Sequence, residues 1–140
     1  MNDRERTLLQ QLGRTFRAMH CAFEAEVGIP LPRWRILHLL SERPCATQKE
    51  ISLALSMDPG ALTRQMKALE ADGLVARRSM PEDNRLTVAS LTAKGVEFVS
   101  NTLPTRKAFS RSALEGLTAE EISCTMKTLS FLEERFRSDS

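Results

Sequence analysis

The stretch from Thr47 to Gly95 constrains the fold most, because capped helices and short strands follow one another there with little chain between them. Thr47 and Glu50 predict a capping box, in which a hydroxyl and a carboxylate satisfy backbone N–H groups that the first helical turn leaves unpaired. Asp58 is a favourable N-cap, and Pro59 suits the first position of a second helix. The spacing therefore predicts a helix-turn-helix.

Two short strands are predicted after the second helix, from Leu74 to Arg78 and from Leu86 to Leu91. The loop between them, SMPEDNR, combines a proline, acidic residues and an asparagine, which is typical of a turn. A β-hairpin directly after a helix-turn-helix predicts a winged helix. The expected fold class is mainly α with a small β-hairpin wing (α+β).

Three arginines concentrate positive charge on this hairpin, namely Arg77, Arg78 and Arg85. An arginine at a hairpin tip can enter the narrow, electronegative minor groove of DNA. Asp83, two residues before Arg85, can hold that side chain in an extended rotamer. The alternative is a surface salt bridge in a mobile turn, which is the less favoured reading directly after a capped helix-turn-helix.

The second helix of the motif has an apolar face and a basic face. Leu62, Met66 and Leu69 fall on one stripe. The opposite stripe holds small and basic residues, with Thr63 at its edge: Gly60, Arg64, Lys67 and Ala71. Taken alone, such a helix is more often an ordinary amphipathic helix with a solvated face, but the adjoining hairpin favours a recognition helix.

A recognition helix needs small residues that let its backbone approach the major groove, and a long cation that reaches base edges or phosphates. Arg64 is the expected base contact. The N-terminal amides of both helices suit phosphate oxygens. The predicted DNA contacts are Thr47, Gln48, Pro59, Gly60, Ala61, Thr63, Arg64, Lys67, Arg77, Arg78, Asp83, Asn84 and Arg85.

Length and composition restrict the class of protein. A chain of 140 residues fits one compact domain, and a net charge of +2 is too small to identify a nucleic-acid binder without the positions of the basic side chains. No apolar run approaches a membrane span, and the charged start MNDRERT does not resemble a signal peptide, so a cytoplasmic location without a membrane partner is expected. The odd set of three cysteines favours reduced thiols.

Long helices are predicted on both sides of the motif. The first spans about Asp3 to Val27, and its two apolar faces imply two neighbours, one of which can be a second subunit. A buried helix opens at Pro32 and closes before Pro44. Towards the C-terminus, further helices begin after Thr92 and after Thr118, and Pro104 is expected to kink or interrupt the first of them.

The chain resembles the MarR (multiple antibiotic resistance regulator) family of transcriptional regulators in four segments: LPRWRILHLL, TQKEISLALSMDPGALTRQMKALEADGLV, the wing from Arg78 to Arg85, and LTAKG. The resemblance implies one MarR-like domain of residues 1–140, with a winged helix-turn-helix at 32–95 and dimerisation helices at 1–28 and 96–140. It also implies a triangular homodimer that binds a pseudo-palindromic site on double-stranded DNA as a ligand-responsive repressor.

Many relatives release DNA when a small aromatic acid binds, and the resemblance makes an aromatic carboxylate effector the expected ligand, with no other cofactor. A pocket for it would need an apolar wall and cationic or imidazole partners. The candidates are Arg14, Arg17, His20, Trp34, Arg35 and His38. The more ordinary roles are a core anchor for the tryptophan, packing for the histidines, and salt bridges at the dimer interface for the arginines.

Three alternatives to a ligand-responsive repressor remain. A thiol-based redox sensor is disfavoured because the chain has no tyrosine to support a reactive cysteine, as the hydroperoxide-sensing branch of the family does. A winged-helix adaptor that binds protein rather than DNA is disfavoured by the basic face. An enzyme is not expected because no nucleotide-binding or hydrolase motif occurs, and the scattered cysteines and histidines predict no metal site.

Overall fold

The computed structural model describes residues 3–83 and 86–138. The elements, in chain order, are α1 (Asp3–Val27), α2 (Leu31–Glu42), β1 (Ala46–Thr47), α3 (Gln48–Leu55), α4 (Pro59–Ala71), β2 (Val75–Ser79), β3 (Thr87–Leu91), α5 (Ala93–Ala113) and α6 (Ala119–Ser138). This architecture confirms the predicted class, mainly helical with a small antiparallel wing. The observed strands begin one residue later than predicted.

Side-chain caps define where the later helices begin, as the sequence predicted. The hydroxyl of Thr92 accepts a hydrogen bond from the Gly95 N–H at 3.0 Å, which fixes the start of α5. The hydroxyl of Thr118 accepts from the Glu121 N–H at 3.1 Å, and the Glu121 carboxylate accepts from the Thr118 N–H at 2.9 Å. This second pair is a complete capping box before α6.

The core of the winged helix lies between α2, α3, α4 and the sheet. Its fully buried side chains come from these three helices: Ile36, Leu37, Ile51, Leu62, Met66 and Leu69. Trp34 and Leu40 are also buried, so α2 is covered on several sides, as its sequence predicted. Burial of this size is the main source of stability for the segment.

The sheet has the order β1-β3-β2, with both pairs antiparallel. The two-residue β1 places Ala46 opposite Ala89 and Thr47 opposite Val88. This strand was not predicted, because two residues are too few to show an alternating pattern. It attaches the N-terminus of α3 directly to the wing.

The turn after α4 is held against the start of α5. Gly73 has a φ of +74°, a conformation that glycine adopts without steric cost. The Thr92 hydroxyl donates to the Gly73 carbonyl at 2.6 Å. At Gly95 a Cβ atom would overlap the Leu74 carbonyl oxygen, so only glycine allows this close approach. The LTAKG segment, Leu91 to Gly95, thus holds the turn that follows α4 in place.

Helix α5 continues through Pro104 to Ala113, so the predicted interruption is wrong, while the alternative, a kink at Pro104, stays a prediction. A proline removes the hydrogen bond that its N–H would donate to the carbonyl four residues earlier, here that of Ser100. Ser100 is exposed, so water can satisfy that carbonyl while the helix continues on both sides.

The chain divides into two compact units, and the boundary between them lies between Phe109 and Ser110. In the first, Phe23 of α1 packs edge-on against Phe109, with ring centroids 5.3 Å apart. In the second, α6 has apolar residues three or four positions apart along one face: Met126, Leu129 and Phe136 are exposed, whereas Ile122 and Leu132 are half-buried. The assignment of residues 1–140 to one domain stays a prediction.

Candidate nucleic-acid interface

The first turn of α3 has the predicted capping box. The Thr47 hydroxyl accepts from the Glu50 N–H at 3.1 Å, and the Glu50 carboxylate accepts from the Thr47 N–H at 3.0 Å. The bond from the Thr47 backbone holds the pKa of Glu50 below its ordinary value, and the Thr47 hydroxyl adds to the effect. The Thr47 N–H is therefore already engaged, which differs from its predicted use for a phosphate.

The first turn of α4 is capped by an acid. The Asp58 carboxylate accepts from the Ala61 N–H at 3.0 Å, and Pro59 has no N–H to offer. Of the amides from Asp58 to Ala61 that were expected to face a phosphate, that leaves the N–H groups of Asp58 and Gly60. The negative charge of Asp58 beside this helix end also opposes a close phosphate.

Arg64 and Lys67 project from the exposed face of α4, whereas Leu62, Met66 and Leu69 are fully buried on the other face. The predicted division of the helix is therefore confirmed. Within residues 3–83 and 86–138 the structure shows no hydrogen bond or ion pair for either cation. Both side chains are free to reach a ligand.

Two other polar side chains of α4, those of Thr63 and Gln65, are hydrogen-bonded within the protein. Arg33 of α2 donates to the Gln65 amide oxygen at 2.9 Å. The Thr63 hydroxyl accepts from the Gln48 amide at 3.1 Å and donates to the Pro59 carbonyl at 2.9 Å. Gln48, also a predicted DNA contact, is thus bonded within the protein through this amide.

Arg77, another predicted DNA contact, is hydrogen-bonded to two side chains of the protein. Its guanidinium donates to both carboxylate oxygens of Glu70, with the shortest distance at 2.8 Å, and to the Gln48 amide oxygen at 3.2 Å. The hydrogen bond from Arg77 lowers the pKa of Glu70 below its ordinary value. The next residue, Arg78, is exposed.

The hairpin loop of the wing is closed by backbone hydrogen bonds. The Met80 N–H donates to Leu86 at 2.8 Å, and the Leu86 N–H donates to Asp83 at 3.0 Å. Asn84 and Arg85 lie outside the described residues, so the predicted pairing of Asp83 with Arg85 stays a prediction.

Three predicted effector residues, Trp34, Arg35 and His38, line a cavity of about 340 Å³. The Trp34 and His38 rings stack with centroids 5.7 Å apart, and His38 Nδ1 lies 3.1 Å from a Glu42 carboxylate oxygen. Arg35 donates to the Leu55 carbonyl at 2.8 Å. The other lining residues are Leu31, Leu39, Glu42, Leu55 and Arg106.

The other three predicted effector residues do not line this cavity. Arg14 and Arg17 are exposed on α1, and His20 packs against Phe16 with ring centroids 4.2 Å apart. The cavity instead takes its further cation from Arg106 of α5, which the sequence did not indicate, because that residue is distant in sequence from α2 and belongs to no motif.

The cysteines show no arrangement specific to a sensor. Cys21 and Cys124 are exposed, Cys45 is half-buried, and all three are free thiols. Over the described ranges, no cluster of three or more histidine, cysteine or acidic residues is placed to hold a metal ion. Among the helices described, none has both the length and the apolar character of a membrane span.

A capped helix-turn-helix, a basic exposed face on its second helix and an antiparallel wing define a winged-helix DNA-binding protein. The MarR family model matches residues 29–87. An uncharacterized HTH-type transcriptional regulator of Bacillus subtilis, YdgJ, is 34% identical over 117 residues, covering 84% of this chain and 71% of the relative. The chain belongs to the MarR family and is a DNA-binding transcriptional regulator.

A second relative and a solved structure are also similar to this chain, the structure in its fold alone. The HTH-type transcriptional repressor IacR of Pseudomonas putida is 31% identical over 98 residues, which cover 69% of this chain and 58% of IacR. A crystal structure of a MarR mutant from E. coli complexed with operator DNA has the same fold, with a TM-score of 0.82. That match is 22% identical and covers 90% of this chain and 93% of the other.

Proposed function

We propose that this regulator is a homodimeric repressor in which each subunit places α4 in the major groove at one half of a pseudo-palindromic operator. One observation carries the proposal: among the described residues, Arg64 and Lys67 on α4 are exposed and have no bonding partner, whereas Thr63, Gln65 and Glu70 are bonded within the protein. The two long cations are therefore the side chains of this helix that can reach DNA.

The two cations are assigned different roles. A guanidinium can donate two parallel hydrogen bonds to a guanine edge, so Arg64 is the proposed base-reading residue. An ammonium acts as a point charge, so Lys67 is proposed to contact phosphate. Near the N-terminus of α4, the small residues Gly60 and Ala61 let the helix backbone approach the groove. The proposed close-contact surface comprises Thr47, Gln48, Pro59, Gly60, Ala61 and Thr63.

On the wing, the exposed Arg78 is proposed to contact phosphate, and the loop segment Asp83 to Arg85 is proposed to lie at the minor groove. The exposed apolar side chains of α1 support a dimer, because a second copy of the chain can cover them. Two half-sites would then be separated by about 10 bp, one turn of the duplex. That IacR is named a repressor supports repression over activation.

The proposed effector is a small aromatic carboxylate in the cavity beside Trp34. Its aromatic ring can pack against the Trp34 and His38 rings, and its carboxylate can pair with Arg35 or Arg106. Release of DNA would follow if the ligand bound preferentially to a dimer geometry that does not fit both half-sites. Trp34 is the sole tryptophan of the chain, so its fluorescence reports occupancy directly.

The experiment begins with selection of duplexes from a random pool by the unmodified protein, followed by salt titrations of the selected duplex. Arg64→Ala is expected to relax discrimination at one base pair by about 1–3 kcal/mol. Lys67→Ala is expected to weaken binding to all sequences and to reduce the salt slope by about 1. Lys127→Ala, which removes a cation from α6, is the control and should bind like the parent.

Two outcomes would contradict the proposal. If Arg64→Ala and Lys67→Ala bind like the parent, the assignment of α4 to the groove is wrong. If no duplex is retained even at low salt, the chain is better described as a winged-helix adaptor for another protein. For the effector, Trp34 fluorescence that does not change with aromatic carboxylates would remove the cavity from the proposal.

A further inference from the structure

We propose that Arg77 is a positioning residue, which locks the wing onto the recognition helix through Glu70 and Gln48 instead of contacting DNA. This inference rests on the proposed docking of α4, because it concerns the geometry in which α4 and the wing are presented together. It reassigns one of the arginines that the sequence placed in the DNA interface.

The geometry shows one guanidinium joining three elements. Arg77 belongs to β2, and its Nη2 and Nε atoms donate to the Glu70 carboxylate on α4 at 2.8 to 3.2 Å. Its Nη1 atom donates at 3.2 Å to Gln48, the first residue of α3. A planar guanidinium is suited to such a fork of parallel bonds, and a lysine ammonium is not.

The bonds continue from Gln48 back to the start of α4. The Gln48 amide nitrogen donates to the Thr63 hydroxyl at 3.1 Å, and that hydroxyl donates to the Pro59 carbonyl at 2.9 Å. Arg77 is therefore connected to α4 at both of its ends, directly at Glu70 and through two side chains at the first turn. A shift of the wing relative to α4 would break several of these bonds together.

Its neighbour Arg78 provides an internal contrast. Successive side chains of a strand point to opposite faces, so Arg77 packs against α4, with 28% of its side chain exposed, while Arg78 is exposed to solvent. To contact a phosphate, Arg77 would have to give up a bidentate pair with a carboxylate. The negative charge of Glu70 would also remain next to the DNA. Among the described residues, Arg78 has no such carboxylate partner.

The decisive variant is Glu70→Gln, because the two possible roles of Arg77 predict opposite effects. If Arg77 positions the wing, loss of the carboxylate loosens it, and affinity for the selected duplex should fall on the order of tenfold with an unchanged salt slope. If Arg77 contacts phosphate, the same change removes a repelling charge and frees the arginine, so binding should strengthen and the salt slope should steepen.

Arg77→Lys tests the same point from the other partner. It keeps the charge and loses the fork, so we expect a loss of affinity similar to that of Glu70→Gln with the salt slope of the parent. Arg78→Lys is the matched control and should bind nearly as the parent does, because a phosphate contact requires mainly charge. Thermal unfolding midpoints close to the parent value would show that the variants fold.

The inference is overturned if Glu70→Gln binds as tightly as the parent or more tightly, or if Arg77→Lys is tolerated as well as Arg78→Lys. These results leave the role of α4 intact, since that is tested by Arg64→Ala on the same duplex. If the unmodified protein selects no duplex at all, the proposed function fails first and the inference fails with it.

Discussion

The same helical spacing predicts one apolar face on α4 and two on α1, but the large apolar side chains of the two helices have different surroundings. On α4, Leu62, Met66 and Leu69 are fully buried by other elements of the winged helix. On α1, Phe23 is 3% exposed, while Phe16 is 56% exposed. Other exposed apolar side chains on α1 are Leu8, Leu9 and Met19.

The winged helix and α1 therefore depend on different contacts for their stability. The winged helix completes its core within the chain, and its caps and polar bonds also have their partners inside the segment. Most of the apolar face of α1 has no cover in the chain as described, and an exposed patch of this kind marks an interaction surface. We infer that the winged helix tolerates dissociation of the proposed dimer, while α1 depends on a second copy.

The largest expected effect is in the winged-helix core. Leu62→Ala removes a fully buried side chain of α4 and should lower the free energy of unfolding by about 2–5 kcal/mol. Leu53→Ala is the control, because Leu53 on α3 is 73% exposed and loses little burial. Chemical denaturation of both variants measures the difference. If Leu62→Ala and Leu53→Ala lowered the free energy of unfolding equally, Leu62 would not be part of the core.

The next effect concerns the uncovered face of α1. Phe16→Glu should raise the dissociation constant of the proposed dimer by about 30-fold or more, because loss of an aromatic hot spot costs about 2 kcal/mol or more and a buried carboxylate adds a desolvation cost. Analytical ultracentrifugation measures the change. Leu53→Glu adds the same charge to an exposed position of the winged helix and should leave the association unchanged.

Two results would contradict this inference about α1. A parent protein that stays monomeric at working concentration would show that a second copy does not cover the face of α1. A Phe16→Glu variant that associates like the parent would show that the interface lies elsewhere.

Features that depend on neighbouring residues were predictable from the sequence. A capping box needs two residues three positions apart, so Thr47 with Glu50 and Thr118 with Glu121 were both identified correctly. The stripe of α4 is equally local, since helical geometry alone places Arg64 opposite the buried side chains.

Features that depend on distant residues were not predictable. The amide of Gln48 and the carboxylate of Glu70 meet Arg77 only after the wing folds back on α3 and α4, so the sequence showed a cation but not its partners. Arg106 likewise enters the cavity beside Trp34 from an element far along the chain. Predicting a face from spacing does not reveal what covers it.

The smallest expected effect compares the capping boxes of the two compact units, at Glu50 and at Glu121. In each, the bond from the backbone N–H of the capping threonine lowers the pKa of the carboxyl from an ordinary value near 4.5. A carboxyl with a lowered pKa stabilises the folded state above its ordinary pKa, and that contribution disappears as pH falls through the lowered value.

Urea denaturation across a pH series tests both boxes with Glu50→Gln and Glu121→Gln, because glutamine keeps the capping hydrogen bond and removes the charge. The parent should be slightly more stable than each variant at neutral pH, and the gap should close as pH falls below about 4.5. Thr47→Ser keeps the capping hydroxyl and leaves the charge of Glu50 in place, so this variant should follow the pH dependence of the parent.

A stability gap between the parent and Glu50→Gln that is the same at pH 7 and in acid would show that the carboxylate charge does not contribute. A gap that appears for Glu50→Gln and is absent for Glu121→Gln would show that α6 unfolds separately from the winged helix, since only a cap that melts with the measured transition affects its free energy.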